Sequence, residues 1–267
     1  MIYTTTNFDG QEATDDTLLI GVGPASHRLV VVSKTRQLKF AASYDPANVE
    51  PAVTALLNRD FGSVKLAVTD CRYSFIPADV YDERQHDAYL RHLPFDGVGG
   101  ADVADVAPLG IKVLYQTNRM GLETFVARFP HAVSCPQVQA LLGAVADLGL
   151  HAGAPLLVIE QQAQWMTISV FNDGKFLYCH DFESHNEDDF SYHLLAVLNR
   201  FGLADRKPSI QLAGDTDLGD ACYNRAATYG GEVVLADSSS LTGIQIPGDM
   251  VPHQHRFLSL FGLYLCE

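Results

Sequence analysis

The sequence is short of basic residues, of patterned cysteine and of long apolar runs, and each shortage removes a class of protein. Lys and Arg number 18 against 32 Asp and Glu, a formal net charge of -14 over 267 residues. A nucleic-acid binder needs a basic footprint to meet phosphate, and docking on anionic lipid needs one too, so neither partner is expected. The five cysteines (Cys71, Cys135, Cys179, Cys222 and Cys266) are odd in number and form no C-x-x-C pair. That pattern argues against a small secreted disulfide framework and against the common zinc spacings. They read as small core hydrophobes with reduced thiols. No segment approaches the roughly 18 consecutive apolar residues of a membrane span. Residues 1–6 have neither the basic start nor the apolar core of an export signal, so a cytoplasmic location is expected.

What is present is a folded composition. Hydrophobic residues make up 47% and charged residues only 19% of the chain, the reverse of a disordered segment. Three apolar runs follow one another from residue 18: Leu18–Gly23, Leu29–Val32 and Leu38–Ala42. Short links separate them, which predicts a three-stranded antiparallel meander. Leu156–Ile159, Met166–Phe171 and Phe176–Cys179 repeat the pattern, with Asp173-Gly174 as a strong hairpin signal between the last two. A shift of 138 residues places Leu18 on Leu156, Val32 on Val170 and Leu38 on Phe176.

Each meander leads into an expected helix. The first is predicted over Pro46–Asp60, with Asp45 as cap and Val49, Val53, Leu56 and Leu57 on its apolar stripe. The second is predicted over Asp188–Phe201, with Tyr192, Leu195, Ala196 and Leu198 on the stripe. Glu187, Asp188 and Asp189 suit its positive N-terminal end. Each helix feeds a fourth strand, Val64–Val68 and Ile210–Ala213. The order β-β-β-α-β therefore occurs twice. It divides the chain into an N-terminal lobe, 1–150, with an insertion at about 71–110, and a C-terminal lobe, 151–267. A helix near Asp79–Leu93, a strand at Gly110–Gln116 and helices near Arg119–Arg128 and Gln137–Leu148 complete the first lobe. The apolar tail from Phe257 to Leu265 is expected to fold back on the second lobe as a helix. Trp165 is expected in core or lobe-interface packing, and His253 and His255 in a surface loop.

The duplicated β-β-β-α-β unit resembles the actin, hexokinase and Hsp70 superfamily, in which two lobes face each other across a nucleotide cleft. Over nearly the full length the chain is also similar to the family known as domain of unknown function 3822, mostly from Bacteroidetes. The residues that carry this are Val68–Asp82, including Phe75-Ile76-Pro77 and Val80-Tyr81-Asp82, the Phe129-Pro130-His131 turn, the meander from Leu156 to Phe182, and the tail ending Leu265-Cys266-Glu267. The resemblance implies an α/β, two-lobed actin-like ATPase fold, and ATP with Mg²⁺ as the cofactors of such a fold.

The nucleotide motifs of that superfamily are altered here. The phosphate hairpins should read Asp-x-Gly-Thr/Ser, where glycine lets amides approach phosphate and the carboxylate holds the metal and its waters. Lobe one has Gly21-Val22-Gly23-Pro24-Ala25: Gly23 remains, Gly21 replaces the carboxylate, and Pro24 removes an amide donor. Lobe two has Glu160-Gln161-Gln162-Ala163, with a carboxylate and no glycine. The adenosine-side Gly-Gly pair reads Gly214-Asp215. The cofactor-binding candidates are therefore Gly21, Gly23, Glu160, Gln161, Gly214 and Asp215. Most also have a plain structural use: Gly21 and Gly23 in a tight turn at positive φ, Glu160 as a solvated or salt-bridged edge carboxylate, and Asp215 or Asp217 as a helix cap. Asp70, at the end of the fourth strand, is the one catalytic candidate, as a general base; no metal ligand is assigned. The expected function is a non-catalytic binding or scaffold module with a protein partner or self-association. The alternative is a divergent ATP-binding protein or phosphotransferase using the inter-lobe cleft.

Overall fold

A computed structural model of the protein describes residues 1–5, 8, 13–23, 25–69, 71–91, 101–117 and 121–266. Asp70 and Pro24 lie outside the described residues. The chain divides into two compact units: residues 1–144, 242–247 and 259–267 form the first, and 145–241 with 248–258 the second.

The first unit is built on a six-stranded sheet. Its strands are β1 (Ile2–Thr4), β2 (Thr17–Val22), β3 (His27–Val32) and β4 (Leu38–Tyr44), then β5 (Ser63–Val68) after helix α1 (Pro51–Leu57). Strand β6 (Cys71–Pro77), helix α2 (His86–Leu90), β7 (Ala101–Val106), β8 (Ile111–Thr117) and helix α3 (Glu123–Arg128) follow, and then β9 (Val133–Pro136) and helix α4 (Gln137–Leu150), of which residues up to 144 belong to this unit. The sheet order is β1-β4-β3-β2-β5-β9, with β2, β5 and β9 parallel and the meander antiparallel. Leu29, Val30, Val31 and Val32 are all fully buried, so both faces of the sheet are covered and the strand reads as one apolar run. One face packs Leu18, Ile20, Val31 and Phe40 against Val53 and Leu56 of α1 and Phe125 of α3.

The second unit has a five-stranded sheet of β10 (Leu156–Gln162), β11 (Trp165–Asn172), β12 (Lys175–Glu183), β13 (Ser209–Gly214) and β14 (Val233–Leu235). Helix α5 (Glu187–Arg200) precedes β13, α6 (Ala221–Tyr229) precedes β14, and α7 (Ser238–Thr242) follows it. The order β12-β11-β10-β13-β14 repeats the order β4-β3-β2-β5-β9 of the first unit, with the same senses. The β11–β12 link is a two-residue turn with Asp173 at φ 51° and Gly174 at φ 68°, the geometry its Asp-Gly pair predicts. A final helix, α8 (Leu258–Leu263), closes the chain.

Several local expectations change. Helix α1 begins at Pro51, not Pro46. Glu50 is extended (φ -67°, ψ 147°), as a residue preceding proline prefers, so no helix runs through it. Asp45 instead closes a turn by accepting from the Ala47 amide. Val49 is exposed. Helix α5 stands where expected, but its buried stripe is Phe190, Leu194, Val197 and Leu198, while Tyr192 is 70% exposed. Its cap is Asn186, whose side chain accepts from the amides of Asp188 and Asp189; such a cap contributes about 1 kcal/mol.

The insertion holds an antiparallel sheet, β6-β8-β7, of which only β8 was legible. Ala101–Val106, rich in Ala and Asp, carries little strand propensity by itself. The helix expected from Asp79 shortens to α2 behind a 3₁₀ turn at Glu83–Gln85 capped by Asp82. Trp165 is 42% exposed, and His255 is 2% exposed with Nε2 placed 2.7 Å from the Thr216 carbonyl. The tail also differs: residues 259–267 belong to the first unit rather than the second. Gly262 of α8 lies so close to the Ala140 carbonyl of α4 that any side chain would overlap it. Among the described residues, no helix is long and apolar enough to cross a membrane.

Candidate functional site

In the first unit the candidate loop joins β2 to β3, with Val22 opposite His27 and Gly21 opposite Arg28. Neither Gly21 nor Gly23 has positive φ, so the expected left-handed turn is absent at both. Gly23 is nonetheless constrained, because a Cβ there would come within 2.8 Å of the Ser26 carbonyl. Gly21 is under no such pressure: a Cβ would meet Leu260 of α8 at 3.6 Å, an ordinary apolar contact. Position 21 thus projects toward the C-terminal helix of its own unit. Thr69 ties the neighbouring strand end to this hairpin, its hydroxyl donating to the Val22 carbonyl at 2.9 Å. His27 packs edge-on to Tyr44 and Phe125, and burial lowers its pKa below the ordinary range despite hydrogen bonds with the backbone at Ser26 and Gly23.

In the second unit, two of the motifs meet. Strands β10 and β13 run parallel, with Glu160 opposite Ala213 and Gln161 opposite Gly214. Gly214 has φ 82°, and any Cβ on it would overlap the Gln161 carbonyl, so only glycine fits. The next residue, Asp215, donates its amide to that same carbonyl at 2.6 Å. Its carboxylate Oδ2 accepts from the amide of Ala163, at the tip of the β10–β11 hairpin, at 3.2 Å. Ala163 itself sits at φ 44°. Arg256 reaches the same corner, with Nη1 3.8 Å from Asp215 and Nη2 2.5 Å from Asp217.

Glu160 is 1% exposed, opposite Thr167 and Ala213 within the sheet, and is therefore not a solvated edge carboxylate. Gln161 donates weakly to the Ser184 carbonyl at 3.4 Å, while its own Oε1 and the Ser184 hydroxyl are buried without a partner. The cap of α6 is Asp220, rather than Asp215 or Asp217; it accepts from the amides of Tyr223 and Asp217 and from the Thr216 hydroxyl.

The fold thus brings Glu160, Gln161, Gly214 and Asp215 together in one unit, and places Gly21 and Gly23 on the matching hairpin of the other. Sequence reasoning named Ala163 only as the last residue of its motif and missed Arg256 and Leu260. Arg256 and Leu260 lie more than forty residues beyond the motifs they touch, and no local pattern announces either contact. Among the described residues, no group of three or more His, Cys, Asp or Glu side chains is gathered as a metal ion would require.

Two sheets of common strand order, each opening in a β-hairpin and a parallel fourth strand, define the actin-like ATPase fold. A protein from Bacteroides thetaiotaomicron with that fold and unknown function superposes with a TM-score of 0.72 at 14% identity, over 97% of this chain and 99% of the other. A chain of the PilM–PilN type IV pilus biogenesis complex superposes with a TM-score of 0.67 at 15% identity, over 93% and 97%. The model of the protein family of unknown function DUF3822 matches residues 5–233, and the chain belongs to that family. A comparison with curated proteins returns no match.

Proposed function

We propose that this chain is a binding module built on the actin-like fold, one that engages a partner protein rather than turning over nucleotide. The observation that carries the reading is the Asp215–Ala163 contact. In a phosphate-holding hairpin the backbone amides at the tip are left free to meet an anion. Here the Ala163 amide is taken by a carboxylate of the same unit, and the Asp215 amide by the Gln161 carbonyl. A phosphate brought to this tip would have to displace Asp215 and would meet its negative charge. In the other hairpin, the position expected to hold a carboxylate is Gly21, facing Leu260. These residues do not fit a magnesium-bound polyphosphate. The PilM–PilN structure is of a complex, and the likeness to one of its chains favours a role in protein assembly.

Thermal melting with and without millimolar Mg-ATP tests this reading. Anything bound by the native state raises Tm by mass action, by about 2.7 kcal/mol of stability at a hundredfold excess over Kd. No rise is expected, and no phosphate release. A clear rise, lost on Glu160→Ala, would overturn the reading and favour a divergent phosphotransferase. Sedimentation over a range of concentrations distinguishes the partner: a monomer throughout points to a different protein, and a concentration-dependent species to a second copy of this chain.

A further inference from the structure

The five cysteines are all free thiols, and the fold brings two of them together. Cys135 lies on β9 opposite Ala67 of β5, and the same row of the sheet continues to Gly21 of β2. No side chain in that part of the row is larger than a thiol, and the C-terminal segment lies over it. Leu260 faces Gly21, and Gly262 rests against the Ala140 carbonyl. Lys65, two residues before Ala67 and on the same face, donates from Nζ to the carbonyls of Tyr264, at 3.4 Å, and Cys266. This holds Cys266 over the face of the sheet that carries Cys135, and the two thiols are neighbours there. The Cys266 S–H donates to the Gly262 carbonyl at 3.7 Å. Both cysteines are buried.

We infer that Cys135 and Cys266 are a redox-modification site, at which hydrogen peroxide converts the two thiols to a disulfide that ties the C-terminal segment to the sheet of the first unit. Cys135 is the attacking sulfur. The neighbouring Cys266 side chain and the Lys65 charge hold its thiol below the ordinary range, against the opposing effect of burial. Its thiolate attacks one peroxide oxygen, the O–O bond breaks, and the departing hydroxide takes up a proton to become water. Cys135 is then a sulfenic acid. The Cys266 sulfur attacks it, the S–S bond forms, and the sulfenic oxygen leaves with the Cys266 proton as a second water. Two thiols and one peroxide give one disulfide and two waters.

Access comes through local opening of the segment that carries Cys266. The last turn is held by Lys65 and by short-range hydrogen bonds from the amides of Leu265 and Cys266 to Gly262 and Leu263, at 2.9 and 3.2 Å. A turn held by so few hydrogen bonds opens locally and admits small solutes. Cys71 and Cys222 are the more exposed thiols, yet at Cys222 burial and the charges of Asp220 and Glu187 push the pKa up to about 11.

The test uses the full-length reduced protein. It is treated with one equivalent of hydrogen peroxide, alkylated, digested and mapped by mass spectrometry. Free thiols are expected to fall from five to three, with a linked peptide joining Cys135 to Cys266 that dithiothreitol reverses. Amide exchange across 258–266 is expected to slow at least about tenfold in the oxidised protein. In Cys266→Ser the linked peptide vanishes and Cys135 is recovered as a sulfenic or sulfinic acid. Recovery of Cys135 and Cys266 as thiols at a dose that modifies Cys71 or Cys222 overturns the inference, as does a link to any other cysteine. The mapping of the unmutated chain decides the matter even if the variant fails to fold.

Discussion

Gly214 passes directly beneath the backbone carbonyl of Gln161, with no room between them for a Cβ and with φ at 82°. Gly214→Ala must both hold an alanine in the left-handed region and push β10 and β13 apart. A loss of roughly 3–5 kcal/mol is expected. Gly21→Ala, whose new methyl would meet only ordinary contacts beginning at 3.6 Å, should cost less than about 1 kcal/mol. Urea midpoints of the two variants check the pair, and equal losses would be incompatible with the β10–β13 register.

Burial lowers the pKa of His255 from the ordinary value of 6.5, more than the neighbouring Asp217 and the Thr216 carbonyl raise it. The folded chain therefore keeps this ring neutral where the unfolded chain takes up a proton. Stability from this group is intact above pH 6.5 and declines as the pH falls toward the lower folded value. His255→Gln keeps a donor for Thr216 and does not titrate. Its unfolding free energy should fall less than that of the parent between about pH 7.5 and pH 5.5. Parallel pH profiles for the two proteins would remove this account.

Along α5, Phe190 is fully buried and Tyr192 is 70% exposed, although both are large aromatics two residues apart. Phe190→Ala opens a cavity in the core of the second unit and is expected to cost about 3–5 kcal/mol. Tyr192→Ala should stay within about 0.5 kcal/mol of the parent. Equilibrium denaturation distinguishes the faces, and a costly Tyr192→Ala would reverse the assignment.

Lys65 joins the core of the first unit to the chain end through the Tyr264 and Cys266 carbonyls. Lys65→Met keeps most of the stem and removes the donor. A loss of about 2 kcal/mol is expected, as for charged hydrogen bonds in a partly buried setting. Amide exchange across residues 259–266 should then be faster than in the parent. An unchanged exchange rate would mean that the apolar contacts of α8 alone hold the segment.

The strands were the most legible part of the sequence. Leu29–Val32 and Leu156–Ile159 are uninterrupted apolar runs because both sheet faces are covered, and Asp173-Gly174 specifies its turn locally. The α5 stripe was harder to read. Phe190 sits next to three acids, and the window that began at Tyr192 selected the exposed face. Strands β7 and β9 carry too few β-branched or aromatic residues to declare themselves; their pairing with β8 and β5 makes them strands. Of the candidate site, Gly214 and Gln161 were visible as motif positions, but the contact that joins them depends on a parallel pairing formed only after α5 returns the chain.

Residue order alone determined the twice-repeated β-β-β-α-β pattern and the Asp173-Gly174 hairpin, because each follows from side-chain periodicity and turn chemistry within a few residues. It also determined that a carboxylate is missing at position 21. Tertiary structure decided what occupies these places: Asp215 on the Ala163 amide, Leu260 over Gly21, and Cys266 against Cys135. Those contacts join residues far apart in the chain, and their energy depends on distance in space, which no local pattern of residues encodes.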